Sequence, residues 1–211
     1  MIRLKNEEQI KGIRESCKLL ARLFEHLLPK VKEGMSTKAV DDICAAFIAK
    51  HGGTPAWYRE DFPGAACISI NNEVIHGIPS KHRILHEGDI VSLDIGIDYK
   101  GYISDACRTV GIGNIGQKAR KLIETTERCF DAGAAACIAG NRIHDIGKAV
   151  FDLADAAGYG VVYEYCGHGV GLDVHEDPSI PNIPHGGSNP AHPSRHGTRR
   201  GTDDQRRNRR R

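Results

Sequence analysis

The sequence predicts a single α/β (α+β) domain built from two similar halves around one sheet. Three observations carry this. Paired helix patterns precede a run of strand patterns, the helix pair recurs at a fixed offset, and strand-like sequence all but disappears after the second pair.

Ile10, Ile13, Cys17, Leu20, Phe24 and Leu27 recur in steps of three and four, which predicts a helix with one apolar face. Ser36 is a suitable cap for a second helix with Val40, Ile43, Cys44, Phe47 and Ile48 inward, ending at Gly52-Gly53. Leu122, Ile123, Thr126 and Phe130 predict a third helix, and Ile146, Val150 and Leu153 a fourth that ends at Gly158. Gly34 falls on Gly140 and Gly52 on Gly158, an offset of 106 positions in both cases, with Val40, Cys44 and Phe47 on Ile146, Val150 and Leu153. Strands are predicted at Ala66–Ile70, Ile90–Ile97, Tyr102–Val110 and Gly160–Tyr165, the last followed by a Gly- and Pro-rich loop.

The 211 residues are 40% hydrophobic and 27% charged, a composition that excludes wholesale disorder. No apolar run approaches the roughly 20 residues of a membrane helix, and the charged N-terminus is unlike a signal peptide. Seven cysteines without a Cys-x-x-Cys pair imply reduced thiols and a cytoplasmic protein. Charge is unevenly spread. Residues 1–185 hold 21 basic and 25 acidic side chains, whereas residues 186–211 hold eight arginines, two aspartates and Ala191 as their one hydrophobic residue. Such a tail cannot bury apolar surface and is expected to be disordered.

The candidate chemistry begins with Asp94 and Asp105, eleven positions apart on two strand patterns joined by Asp98-Tyr99-Lys100-Gly101. A loop centred on Tyr99-Lys100 sets the carboxylates directly opposite each other. A turn at Lys100-Gly101 makes them diagonal neighbours on one face. Like charges so close favour a cation between them, and divalent metals take such ligands. His168, flanked by Gly167 and Gly169, and His175 seven positions later are imidazoles in open surroundings. His76 stands at a predicted strand end before Gly77-Ile78-Pro79. His26, His51, His82, His86 and His144 read as surface residues.

Taken together, Asn72-Glu73-Val74-Ile75-His76-Gly77-Ile78-Pro79, the aspartate pair, Gly167-His168-Gly169-Val170-Gly171 and His175-Glu176-Asp177-Pro178 resemble the type I methionine aminopeptidases in order and spacing, from about residue 3 to about residue 190. The resemblance implies the pita-bread fold, with pseudo-symmetric halves. It implies that Asp94, Asp105 and His168 are metal ligands, Asp105 bridging two divalent ions (Co, Fe, Mn, Zn or Mg). His76 and His175 become the catalytic and substrate-binding histidines that steady the scissile amide. The implied reaction removes methionine from nascent polypeptide N-termini when the second residue is small. The implied setting is a cytoplasmic monomer acting near the ribosome, with no membrane and no specific nucleic-acid partner.

The family completes its metal site with two glutamates from its last strands, one doubling as general base. The last glutamate in this sequence is Glu176, and only Asp203 and Asp204 follow as carboxylates after Asp177. The expectation is therefore a catalytic domain over residues 1–190 that lacks its last strands, truncated or frame-shifted after about Pro190, and an Arg-rich tail over 191–211. Two other readings stand beside the aminopeptidase. One is a catalytically impaired pita-bread protein serving as a binding module, its arginines set against RNA. The other is a proline-specific peptidase of the same fold.

Overall fold

The computed structural model describes residues 1–184. In chain order they form α1 (Glu7–Leu27), α2 (Thr37–Lys50), β1 (Thr54–Pro55), β2 (Ala66–Ile70), β3 (Ile90–Tyr99), β4 (Tyr102–Gly111), α3 (Gln117–Ala136), α4 (Ile143–Ala156), β5 (Gly167–Gly169) and β6 (Glu176–Ile180). The expected boundary at Pro190 and the 191–211 tail lie outside the described residues.

Helix α1 starts on a capping box. The Asn6 side chain accepts from Gln9 N and the Gln9 side chain accepts from Asn6 N, both at 2.9 Å. Its buried face comprises Leu19, Leu20, Leu23, Phe24 and Leu27. Cys17, expected inward, is exposed, and the neighbouring Ser16 is buried instead. Ser16 holds that place because its hydroxyl reaches the sheet, 3.1 Å from Ile97 O and 2.8 Å from Ser104 Oγ. In α2 the Ser36 hydroxyl caps Ala39 N at 3.1 Å. Buried Asp41 accepts from Ala65 N (2.6 Å) and Ala66 N (3.0 Å), and so fixes where β2 begins.

The repeat is real in three dimensions. α2 and α4 have bounds that correspond residue for residue at the offset of 106, and the flanking Gly34, Gly52, Gly140 and Gly158 all have positive φ. Helix α3 departs from expectation. Its buried residues are Thr125, Cys129 and Gly133, rather than Leu122, Ile123, Thr126 and Phe130. A stripe of small side chains lets α4 come close: a Cβ on Gly133 would lie 3.0 Å from Val150.

Strand β3 is central. β1 and β2 pair with one edge of it and β4 with the other, all antiparallel. One face, with Val91, Leu93, Ile95 and Ile97 beside Ala66 and Ile68, packs against α1 and α2 as the main core. Alternation sends Ser92, Asp94 and Gly96 to the other face, with Cys67 of β2 and Ile103, Asp105, Cys107 and Thr109 of β4. One face is thus oily and the other polar.

Gly160–Tyr165 is not a strand. Tyr163 and Tyr165 are exposed, and pairing falls instead in the stretch expected as loop, where β5 and β6 run antiparallel with Gly167 against Ile180 and His168 against Ser179. Tertiary approach overrides propensity at this point. Gly169 permits it, since a Cβ there would meet Asp177 O at 2.6 Å. The second half joins the first where Ile103 N of β4 donates to Gly171 O at 2.7 Å.

Candidate active site

The carboxylates are placed by the β3–β4 hairpin. Tyr99 pairs with Tyr102, which leaves Lys100-Gly101 as a two-residue turn with φ of 57° and 83°. Asp98 braces it by accepting from Gly101 N at 2.9 Å. Asp94 consequently faces Cys107, and Asp105 faces Gly96. The aspartates are diagonal neighbours on the polar face, not directly opposed. Gly96 also lets Trp57 close over this face: a Cβ there would be 2.9 Å from Ala56 and 3.3 Å from the indole. The indole N–H donates to Asp94 O at 3.0 Å.

The Asp105 side chain is fully enclosed, and His168 Nε2 lies 4.0 Å from its Oδ2. That is too long for a direct hydrogen bond. His168 Nδ1 is 2.8 Å from its own neighbour's carbonyl, Gly169 O. A carbonyl can only accept, so Nδ1 carries a proton there, which leaves Nε2 as the ring nitrogen turned toward Asp105 and placed to ligate a metal. His175 lies against His168 with ring centroids 4.3 Å apart, and its Nδ1 is 3.5 Å from Glu60 Oε1.

His76 has a left-handed backbone, φ 59°, in an irregular loop rather than at a strand end. The loop is pinned to the outer edge of β2. Ile68 N donates to Gly77 O at 2.8 Å, and Gly77 N donates to Ser69 Oγ at 3.2 Å. Gly77 must lack a side chain, because a Cβ would sit 2.1 Å from Ile68 O. The result is one cavity of about 450 Å³ lined by His76, His168 and His175 together with Ile75, Glu164, Tyr165, Cys166, Glu176, Asp177 and Ser179.

Three of the five expected site residues therefore share a cavity, and Asp105 stands behind one of them. Asp94 is on the same sheet face. Among the described residues, no three His, Cys, Asp or Glu side chains converge closely enough to hold a metal ion by themselves. The donor set still suits a divalent cation: carboxylate oxygens and an imidazole nitrogen are ligands for borderline metals. Asp203 and Asp204 lie outside the described residues.

Lys5, Glu60 and Glu176 were not expected at this site. Glu176 adjoins His175, and its side chain and that of Lys5 are both only 2% exposed as an ion pair. Burial alone would raise the Glu176 carboxyl, but the Lys5 ammonium and the N–H groups of Asp173 and Leu172 outweigh it and hold the group below the usual glutamate range.

The chain is similar to known proteins along most of its length. Residues 11–200 match the metallopeptidase family M24. A methionine aminopeptidase of Treponema pallidum is 56% identical over 184 residues, covering 87% of this chain and 72% of that protein. The crystal structure of methionine aminopeptidase from Rickettsia prowazekii superposes with a TM-score of 0.89 at 32% identity, covering 93% of this chain and 79% of that one. An Xaa-Pro dipeptidase from Bacillus anthracis has a TM-score of 0.74 at 27% identity, covering 85% of this chain but 49% of its own. The fold is the pita-bread fold, and the chain belongs to metallopeptidase family M24, among its methionine aminopeptidases.

Proposed function

We propose that the protein is a metal-dependent aminopeptidase that hydrolyses the first peptide bond of nascent polypeptides, releasing methionine when the second residue is small. The observation that carries this is the meeting of His76, His168 and His175 in one cavity, with the enclosed Asp105 4.0 Å behind His168. Asp94, Asp105 and His168 would hold the divalent ions. Ions held there supply Lewis acidity and a water acidic enough to react near neutral pH. Asp105 and His168 come from opposite halves of the chain, so the ligand set spans the junction between them. His175, set between His168 and Glu60, and His76, fixed by Gly77, contact the substrate and steady the scissile amide.

Cobalt, iron, manganese, zinc and magnesium all suit such ligands, so supply in the cell decides which is used. The protein acts as a cytoplasmic monomer near the ribosome. Among the described residues no helix is long and apolar enough to cross a membrane.

Metal stoichiometry of the full chain, measured with and without Asp105→Ala, tests the ligand assignment. The variant is expected to lose bound cation, and unchanged stoichiometry would sink it. Turnover of Met-Ala and Ala-Pro peptides tests the specificity. Release of methionine from the first supports the proposal, whereas cleavage confined to the second would assign the chain to proline-specific chemistry.

A further inference from the structure

Lys5 immediately precedes the capping box of α1, so the direction in which its side chain leaves the helix start is set by Asn6 and Gln9. Burying an ammonium is costly unless it is paired and hydrogen-bonded. Lys5 meets both conditions, pairing with Glu176 Oε2 and donating to Arg3 O at 3.1 Å. The other carboxylate oxygen, Oε1, accepts from Leu172 N at 2.7 Å and Asp173 N at 3.0 Å, and faces Arg3 Nη2 at 3.4 Å. One carboxylate thus ties together the N-terminal segment, the turn at Leu172-Asp173 and the first residue of β6. His175 lies between the turn and β6, held on both sides. Two exposed pairs, Met1 ammonium with Asp177 and Arg3 with Asp173, run alongside, but solvent screens them.

We infer that Lys5 is a positioning residue for His175, acting through Glu176 to hold the imidazole against His168 and Glu60. A buried ion pair is a weak source of net stability, because well-packed apolar residues commonly replace one at no loss. The location of this pair, bracketing a histidine of the cavity, gives it a different use. The inference rests on the reading of His175 as a substrate contact.

The test uses the full chain with Lys5→Met, which keeps length and removes charge, and Lys5→Arg, which restores charge. Lys5→Met is expected to keep the dispersed amide spectrum of the core. Its His175 ring resonance should lose the ring-current shift that His168 imposes as the two rings separate. Turnover of a Met-Ala-Ser peptide should fall about tenfold to a hundredfold in kcat, the scale for a reacting group displaced by about 1 Å, with little change in KM. Lys5→Arg should recover both readings. A folded Lys5→Met protein with an unmoved His175 resonance and unchanged kcat would overturn the inference, as would a failure of Lys5→Arg to recover either. Should Lys5→Met not fold, Glu176→Gln decides on the same two readings. Full turnover by His175→Ala would refute the substrate role of His175 alone, and the ring resonance would still report whether Lys5 holds it.

Discussion

Gly77 controls the placement of His76 through an atom it does not have. With a methyl group 2.1 Å from Ile68 O, the loop must leave the edge of β2. Gly77→Ala should therefore cost about 1–3 kcal/mol, the usual penalty for overpacking, read as a lowered melting temperature. The His76 resonance should change with it, while Gly52→Ala, with open space around its Cβ, should leave that resonance alone. Glu176 gives the second prediction at this scale. Its folded-state pKa lies below its unfolded value, so the stabilisation is complete above the ordinary glutamate range of about 4.3 and is lost as pH falls through the lower folded value. Acid unfolding of the wild type should therefore steepen below pH ~4.3, and Glu176→Gln should flatten that limb. An identical acid profile for the two proteins would contradict the assignment.

Among the elements, the β3–β4 hairpin decides the geometry of the carboxylates, and its turn contains a strained residue. Lys100 has φ of 57°, a conformation that costs an L-residue about 1–2 kcal/mol. Lys100→Gly should recover part of this in chemical denaturation, without changing the register of Asp94 and Asp105. At the start of α2, Ser36→Ala should cost about 1 kcal/mol by removing the acceptor for Ala39 N. Both residues lie in stretches whose structure is written locally. β2 appears at its expected bounds, β3 and β4 extend the expected strands by one or two residues, and α1 and α2 follow their apolar periodicity except at Cys17. The diagonal relation of Asp94 and Asp105 was one of two open registers, and only the pairing of Tyr99 with Tyr102 decides it. What was illegible depends on distant partners. Thr125 and Gly133 carry no apolar signal, and with Cys129 become a buried stripe only because α4 approaches. β5 looks like loop because glycine is a poor strand former, and the close backbone of β6 is what makes it pair. Lys5 and Glu176 are 171 positions apart, and no spacing rule links them.

Across the whole molecule, the described halves meet through the Ile103–Gly171 hydrogen bond, the buried Lys5–Glu176 pair with its exposed neighbours Arg3–Asp173 and Met1–Asp177, and a small apolar cluster of Ala56, Trp57, Cys67, Ile103, Val170 and Val174. A cation held by Asp105 and His168 would add a further link. Saturation at a hundred times the dissociation constant should stabilise the fold by about 2.7 kcal/mol. Hydrogen exchange at Ile103 N should slow more than exchange at amides deep in the first half, such as Ile95. A chelator should reverse both effects, and uniform slowing throughout the chain would argue against a site at the junction.

The correspondence of α2 with α4 bears on chemistry as well as on shape. The aspartates belong to one copy of the repeated unit, and His168 and His175 to the other. A solitary unit of this kind would carry Asp94, Asp105 and His76 without His168 and His175, or the reverse. Neither half holds the whole site, so the chemistry of this cavity depends on both halves being present and on their being different.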